Sequence, residues 1–347
     1  MNRIRLRTKI EVVIVLNFLI MVAIVSVTSL TRTITDSGDT IETMIRNTKG
    51  NIWDPTSGNL QAAINDIGSQ GGTIWIGSSI TLSSEIKIEN SINNIVIDFQ
   101  GNFVTLSSST TSFINLTNAS HVTVRNLIIK PHEDSTVSII KLYIGSSGGS
   151  TSYNTFSNIH YKNQGSYDLS QWGLRKWSQH NFTLIEMKLN GPGEINENTF
   201  IRITAEGPDR GMYFNQPVNA GWINGTYVDS VYLDQYRECI RFNHYTGNRS
   251  FNYNRFCNIK TQTCVFTEYG IIDISGFGNH FDHILMWDWY ACGPAYSNTG
   301  IREYSITSDA DSTYMQLHAY SELASGGVTN NGKNTMVISL GKIKIGG

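Results

Sequence analysis

Glu206 and Asp234 are the residues whose type and spacing most readily suit chemistry. They stand 28 residues apart, one period of a repeat that runs through most of the chain. If each period is one layer of stacked strands, the two carboxylates become neighbours about 4.8 Å apart on an exposed face. Two carboxylates about 5 Å apart suit a retaining glycosidase, one as nucleophile and one as acid/base. Their like charge would raise one pKa and keep that group protonated. Lys162, Tyr232, Lys260 and Trp287 fall at equivalent positions around them and could line a substrate site, the aromatics stacking on a sugar ring. Arg210 falls beside Glu238, with Arg241 three residues further on, and either arginine could hold a uronate carboxylate. The same residues also suit a cation such as Ca2+, or a polar glycan bound without chemistry. Arg210 and Glu238 equally make an ordinary surface ion pair. Asp282, His283 and Asp288, near Trp287 and Trp289, offer a second polar-aromatic patch, although His283 also reads as a turn residue.

The elements that would position these groups are short strands separated by Gly, Asn and Ser. Asn-x-Phe-x-x-Ile recurs at Asn154, Asn198, Asn254 and Asn279, with looser copies elsewhere. The aligned anchors are Ile97, Val124, Phe156, Phe200, Val228, Phe256 and Phe281, separated by 27, 32, 44, 28, 28 and 25 residues. A unit of this length in a chain of short strands predicts one solenoid coil per unit. The long interval predicts an inserted loop over 163–197, carrying Trp172, Arg175, Lys176 and Trp177, beside the face that bears the carboxylates. Two residues after the anchors stand Asn126, Asn158, Arg202, Ser230, Asn258 and His283, where a left-handed turn is expected and stacked Asn side chains could hydrogen-bond. Apolar or small residues follow three and five positions after each anchor. Positions four and six then face outward. Position four reads Ile128, His160, Thr204, Tyr232, Lys260 and Leu285; position six reads Lys130, Lys162, Glu206, Asp234, Gln262 and Trp287.

Upstream, Leu60, Ala63, Ile64 and Ile67 have the spacing of one apolar helix face. Gly71-Gly72 ends the helix, and Thr73-Ile74-Trp75-Ile76 reads as a strand. This stretch, from Asn59 to Ile76, resembles the N-terminal cap of the pectate-lyase-like superfamily, which includes polygalacturonases, phage tailspikes and epimerases. The resemblance extends as a pattern over roughly residues 55–290. It implies an all-β fold, a right-handed single-stranded parallel β-helix with a short N-terminal capping helix. It also implies a carbohydrate ligand, a lyase base at Arg210 or Arg241, and a homotrimer if the tailspike kinship holds. Departures from the pattern are Gly77-Ser78-Ser79 in place of Pro-x-Gly after the first strand, and the lack of the polygalacturonase and pectate-lyase signatures.

Arg3, Arg5, Arg7 and Lys9 precede an uncharged run from Val12 to Leu30. Nineteen residues at about 1.5 Å rise nearly span a hydrocarbon core of about 30 Å. The reading is a cytoplasmic basic N-terminus (1–9), a transmembrane signal anchor (10–30) and a polar stalk (31–56). The β-helix domain follows (57–347), capped by 57–72. A cleaved signal peptide ending near Val27 and Ser29 is the alternative. The basic flank predicts an extracytoplasmic C-terminal part. Net charge is −2, and no basic run follows residue 10, so nucleic acid is not an expected partner. Cys239, Cys257, Cys264 and Cys292 form no CxxC, which predicts no metal site and leaves disulfide pairing open. Five Asn-x-Ser/Thr sites, at Asn115, Asn118, Asn181, Asn224 and Asn248, are as many as chance supplies. The expected partner is a polysaccharide or cell-surface glycan, with two readings open: a lyase or glycoside hydrolase using Glu206, Asp234 and Arg210, or a non-catalytic adhesin, spike or envelope protein.

Overall fold

Helix α1 (Ser57–Ile67) begins where Thr56 can cap it: the Thr56 hydroxyl accepts from the Asn59 amide at 3.3 Å. It ends at Gly68, whose φ of 54° suits glycine. Its buried residues are Leu60, Ala63, Ile64 and Ile67, the expected apolar face. The computed structural model describes residues 43–90, 92–132, 135–162, 182–219, 221–234, 237–245, 250–263, 269–288, 304–319, 327–341 and 344–346. The expected membrane span at 10–30 lies outside them, and among the described residues no helix is long and apolar enough to cross a membrane. Two strands, Ile45–Asn47 and Ile52–Trp53, fall in the stretch read as a polar stalk. Ile45–Asn47 pairs antiparallel with Ile52–Trp53 and with Gly72–Ile76. The hairpin therefore covers the free edge that the first parallel strand would otherwise present.

From Gly72 onward the described strands pair in parallel, and the chain visits stacked sheets in rotation. The first sheet takes Ile95–Asp98, Val122–Lys130, Thr155–Tyr161, Thr199–Glu206, Tyr227–Asp234 and their successors, in sequence order. The second takes Ser138–Ile144, Thr183–Leu189, Arg210–Asn215 and Glu238–Asn243. The third takes Gly149–Ser152, Gly193–Asn196, Gly221–Asn224 and Phe251–Asn252. This all-β arrangement is compatible with a β-helix.

The repeat survives in the core. Ile97, Val124, Phe156, Phe200, Val228, Phe256 and Phe281 all have no exposed surface. Phe156 and Phe200 stack at 5.3 Å between centroids, and Phe256 and Phe281 at 4.7 Å. Two residues on, Asn126, Asn158, Arg202, Ser230, Asn258 and His283 have φ between 52° and 60°. The left-handed turn bends each strand and reverses which face the following residues present. A second left-handed column stands three residues before the anchors and includes His121, Tyr153, Glu197, Gly225, Tyr253 and Gly278.

Between that second column and the anchors runs a buried polar ladder. Asn154, Asn198 and Asn254 have no exposed surface and Asn279 has 1%. Asn154 Nδ2 donates to Asn198 Oδ1 at 3.0 Å, and Asn254 Nδ2 to Asn279 Oδ1 at 3.1 Å. Each Oδ1 also accepts a backbone N–H from the preceding layer: Val122 N–H donates to Asn154 Oδ1, Asn154 to Asn198, Thr226 to Asn254 and Asn254 to Asn279. The side chains thereby satisfy amides that the turn takes out of the strand ladder.

The inserted loop is narrower than the expected 163–197. Thr183–Leu189 and Gly193–Asn196 are ordinary strands of the second and third sheets. Leu184, Ile185, Met187 and Leu189 in the first of them are fully buried. The extra residues lie between Tyr161 and Thr183, and Trp172, Arg175, Lys176 and Trp177 fall outside the described residues. Beyond residue 300, where the sequence period fades, stacking continues. Tyr314–Ala319 pairs parallel with His280–Asp288, and Met336–Gly341 follows. Met315 replaces Phe as the buried anchor.

Candidate functional site

The outward columns of the first sheet follow from the turn. Because the left-handed residue reverses the facing, positions four and six after the anchor point outward and align across layers. His160 pairs with Thr204, Thr204 with Tyr232, and Tyr232 with Lys260. Glu206 pairs with Asp234, and Asp234 with Gln262. Parallel pairing puts these partners about 4.8 Å apart along the stack. Trp287 is in register with Gln262, although its side chain lies outside the described residues. Lys162 and Lys260 are exposed at the margins of the column.

Tyr232 stands beside the acidic pair. Its phenol donates to Gln262 Oε1 at 2.7 Å. Burial pushes its pKa up, and the negative charges of Asp234 and then Glu206 push it further. The phenol is therefore held as a neutral donor, and both carboxylates are close enough to act on it.

Upstream on this face is an open concavity of about 640 Å³. Its lining includes Gln100, Asn126, Asn158, His160, Arg202 and Thr204. Asn158 Nδ2 donates to Asn126 Oδ1 at 2.8 Å, and Asn126 Nδ2 to Asp98 Oδ1 at 3.0 Å. Arg125 Nε donates to Asp98 Oδ2 at 2.8 Å. Burial alone would raise the Asp98 pKa. It is outweighed by hydrogen bonds from Asn126, the Gln100 amide and Arg125, so the carboxyl stays below its ordinary value. Asp98 thus fixes the amides that line the concavity.

Arg210, Glu238 and Arg241 belong to the second sheet. Glu238 is fully buried and is shared by three guanidiniums. Arg210 Nε approaches Oε2 at 2.5 Å; Arg241 Nη1 and Arg237 Nη1 approach Oε1 at 2.8 and 3.1 Å. Arg237 also donates to both oxygens of Asp209, at 2.6 and 2.9 Å. The Arg210 guanidinium lies over the Tyr213 ring, 4.9 Å from its centroid. Burial raises the Tyr213 pKa, partly countered by Arg210 and then Arg241. The contacts of Arg210 seen here therefore belong to this cluster rather than to the Glu206–Asp234 column.

Sequence reasoning missed Arg237, Asp209, Tyr213 and the concavity. His160, Thr204 and the turn column were already aligned by the repeat, so hydrogen-bonding groups recurring along these two columns were the available signal for the concavity. Arg237 and Asp209 stand one period of 28 residues apart, so counting aligns them too, but they lie in turns outside the strand whose columns the anchors define. Asp282 Oδ1 meets His283 Nδ1 at 2.8 Å, while the side chain of Asp288 is outside the described residues. Among the described residues no group of three or more His, Cys, Asp or Glu side chains is arranged to hold a metal ion. Cys239 and Cys257 are buried free thiols, and burial pushes both pKa values up; Cys264 and Cys292 are outside the described residues.

Comparison with protein-family models finds no match for the chain, and comparison with curated proteins likewise finds no similar one.

Proposed function

We propose that this protein is a membrane-anchored, extracytoplasmic, right-handed parallel β-helix of the pectate-lyase-like kind that binds an extended polysaccharide along the outer face of its first sheet. The observation that carries the reading is the placement of Glu206 and Asp234 in register on adjacent layers. Like charges directly opposite each other on a sheet destabilise it. A surface column serving only solubility would alternate its signs or separate them. The pair instead continues a face whose upstream part is concave and lined with amide, imidazole and guanidinium groups. Such groups match the hydroxyls of a glycan lying parallel to the stack. The anchor rests on the basic residues Arg3 to Lys9 and the uncharged run that follows.

Cleavage of the bound glycan is the second reading, supported by the same pair. Adjacent carboxylates at the spacing of one layer fit the double-displacement geometry of retaining hydrolysis. Tyr232, kept neutral beside them with its proton on Gln262 Oε1, presents its phenol oxygen as an acceptor for a substrate hydroxyl. The test is a panel of polysaccharides assayed for new reducing ends and unsaturated products, with wild type, Glu206→Gln and Asp234→Asn in parallel. Products from wild type that both variants lose establish catalysis. Binding without products, weakened by His160→Ala or Arg202→Ala, establishes a non-catalytic glycan receptor of the adhesin or spike kind. Neither products nor binding would sink the proposal.

A further inference from the structure

The second left-handed column, three residues before the anchors, carries side chains that its backbone does not favour. The column is continuous: His121 N–H bonds Ser152 O, Tyr153 bonds Asn196 O, Glu197 bonds Asn224 O, and Tyr253 bonds Phe277 O. Left-handed φ suits Gly and Asn and penalises bulky residues. Gly225, Gly278, Asn94 and Asn334 occupy this column in other layers, so the backbone does not require anything larger. Yet Tyr153 and Tyr253 stand there at φ 59° and 55°. Strain of this sort is retained where a side chain has work to do.

Burial does not explain the two rings. Tyr153 is 54% exposed and Tyr253 is 63% exposed. Tyr153 stacks on His121 at 5.1 Å with an 18° tilt, so the imidazole fixes the orientation of the exposed phenol ring. Tyr253 is held edge-on by Phe277 at 5.3 Å and leans over Gly278, where a Cβ would come within 2.9 Å of the ring. On the outer side of the adjoining third sheet, three residues before Gly225, Trp222 is 47% exposed. Tyr153 and Tyr253 lie three layers apart, about 14 Å at ~4.8 Å per layer, with Trp222 at an intermediate level.

We infer that this corner between the third and first sheets is a second carbohydrate site, on which Tyr153, Trp222 and Tyr253 stack against the faces of a neutral oligosaccharide running along the stack. Pre-fixed Tyr and Trp rings offer large amphipathic contact at low entropic cost. The polar groups between them are acceptors suited to hydroxyls. Glu194 pairs in register with Trp222, and Glu197 leans over Gly225. Those carboxylates disfavour nucleic acid and other polyanions, which would also stack on exposed rings. The strip lies five residues along the chain from the turn column that lines the concavity, and separate substitutions address the two.

The experiment uses the full chain in mild detergent and, as probes, hexamers of β-1,4-glucose, β-1,4-xylose, β-1,4-N-acetylglucosamine and α-1,4-glucose, with binding followed by calorimetry. The double variant Tyr153→Asn/Tyr253→Asn is expected to lose at least tenfold in affinity while its Tm stays level or rises, because Asn tolerates the left-handed backbone. Trp222→Ala is expected to lose affinity without a change in Tm. In Glu206→Gln/Asp234→Asn any binding and cleavage at the groove is expected to fall while the component removed by the tyrosine double variant remains, so failure of the groove and failure of the strip are distinguishable. A fall in Tm of the tyrosine double variant would make the rings structural. Unchanged affinity in that variant, or no binding of any hexamer by wild type, would equally overturn the inference.

Discussion

On the second sheet, Glu238 is fully buried and shared by three arginines, whereas on the first sheet Glu206 and Asp234 repeat one charge on successive layers. Both arrangements come from the same stacking rule, which places equivalent residues of adjacent layers side by side. The outcomes differ because Arg210 and Glu238 alternate in sign, and Arg237 and Arg241 reach the same carboxylate. That cluster is largely used up internally and ties the turn at Asp209 to the sheet. The acidic column instead repeats one sign from layer to layer, which opposes the stacking of its own pair. Buried, saturated charge reads as architecture; half-buried, repeated charge beside a concavity reads as function.

The comparison breaks if Glu238 can be removed cheaply. Glu238→Ala leaves three guanidiniums crowded without their shared carboxylate, and should cost about 3–5 kcal/mol in urea unfolding. A cost below ~1 kcal/mol would mean that the cluster is not architectural. Next in size is the buried ladder. Asn198→Ala deprives the Asn154 amide and side chain of their acceptor and leaves Thr151 O without its donor. At about 1–3 kcal/mol for each buried group left unsatisfied, a loss of about 3 kcal/mol is expected, whereas Asn158→Ala in the exposed turn column should cost about 1–2 kcal/mol, chiefly the strain of Ala in a left-handed turn.

The acidic column should behave in the opposite way. Glu206→Gln and Asp234→Asn should change unfolding free energy by no more than about 0.5 kcal/mol, while any glycan-cleaving activity falls by at least ~100-fold. A large stability loss from either change would place the pair with Glu238 among structural charges. The smallest effect concerns pH. Because the pKa of Asp98 is lowered in the folded state, its stabilising contribution is present above the unfolded value of about 3.9. It is lost as pH falls through the lower folded value. Asp98→Asn should therefore lower Tm slightly near pH 6, with the gap to wild type closing toward pH 2. A gap independent of pH would remove the carboxylate from that account.

Much of this was legible in the sequence, and the gaps have physical causes. The Phe anchors and the left-handed residues two positions later were readable because burial and backbone conformation leave marks at each position. The Asn at the head of Asn-x-Phe was equally visible as a recurring letter. That it is a buried ladder was not, since an asparagine reads alike whether it faces water or caps a buried amide. Of the last layers the sequence offers only a terminal strand or cap, from Ile338, Leu340, Ile343 and Ile345, of which the strand Met336–Gly341 is present; the rest was hidden because Met315 and Val337 stand at the anchor position without the Asn-x-Phe signature. The concavity was missed because its lining mixes amides, apolar side chains, His160 and Arg202, a set that carries no signal until the curvature of the face is known.

By itself the sequence determined the period, and with it which residues become neighbours. In stacked parallel strands, register depends only on the offset within each repeat, so Glu206 beside Asp234 and Arg210 beside Glu238 could be stated from counting. Only the tertiary structure decided what those neighbours do. The path of each turn sets whether a column is buried, and long side chains such as Arg237 reach within their own layer, to Glu238, as well as to the residue one period away, Asp209. Glu238 became the centre of a closed network for that reason, and Glu206 and Asp234 remained on a face that a ligand can approach.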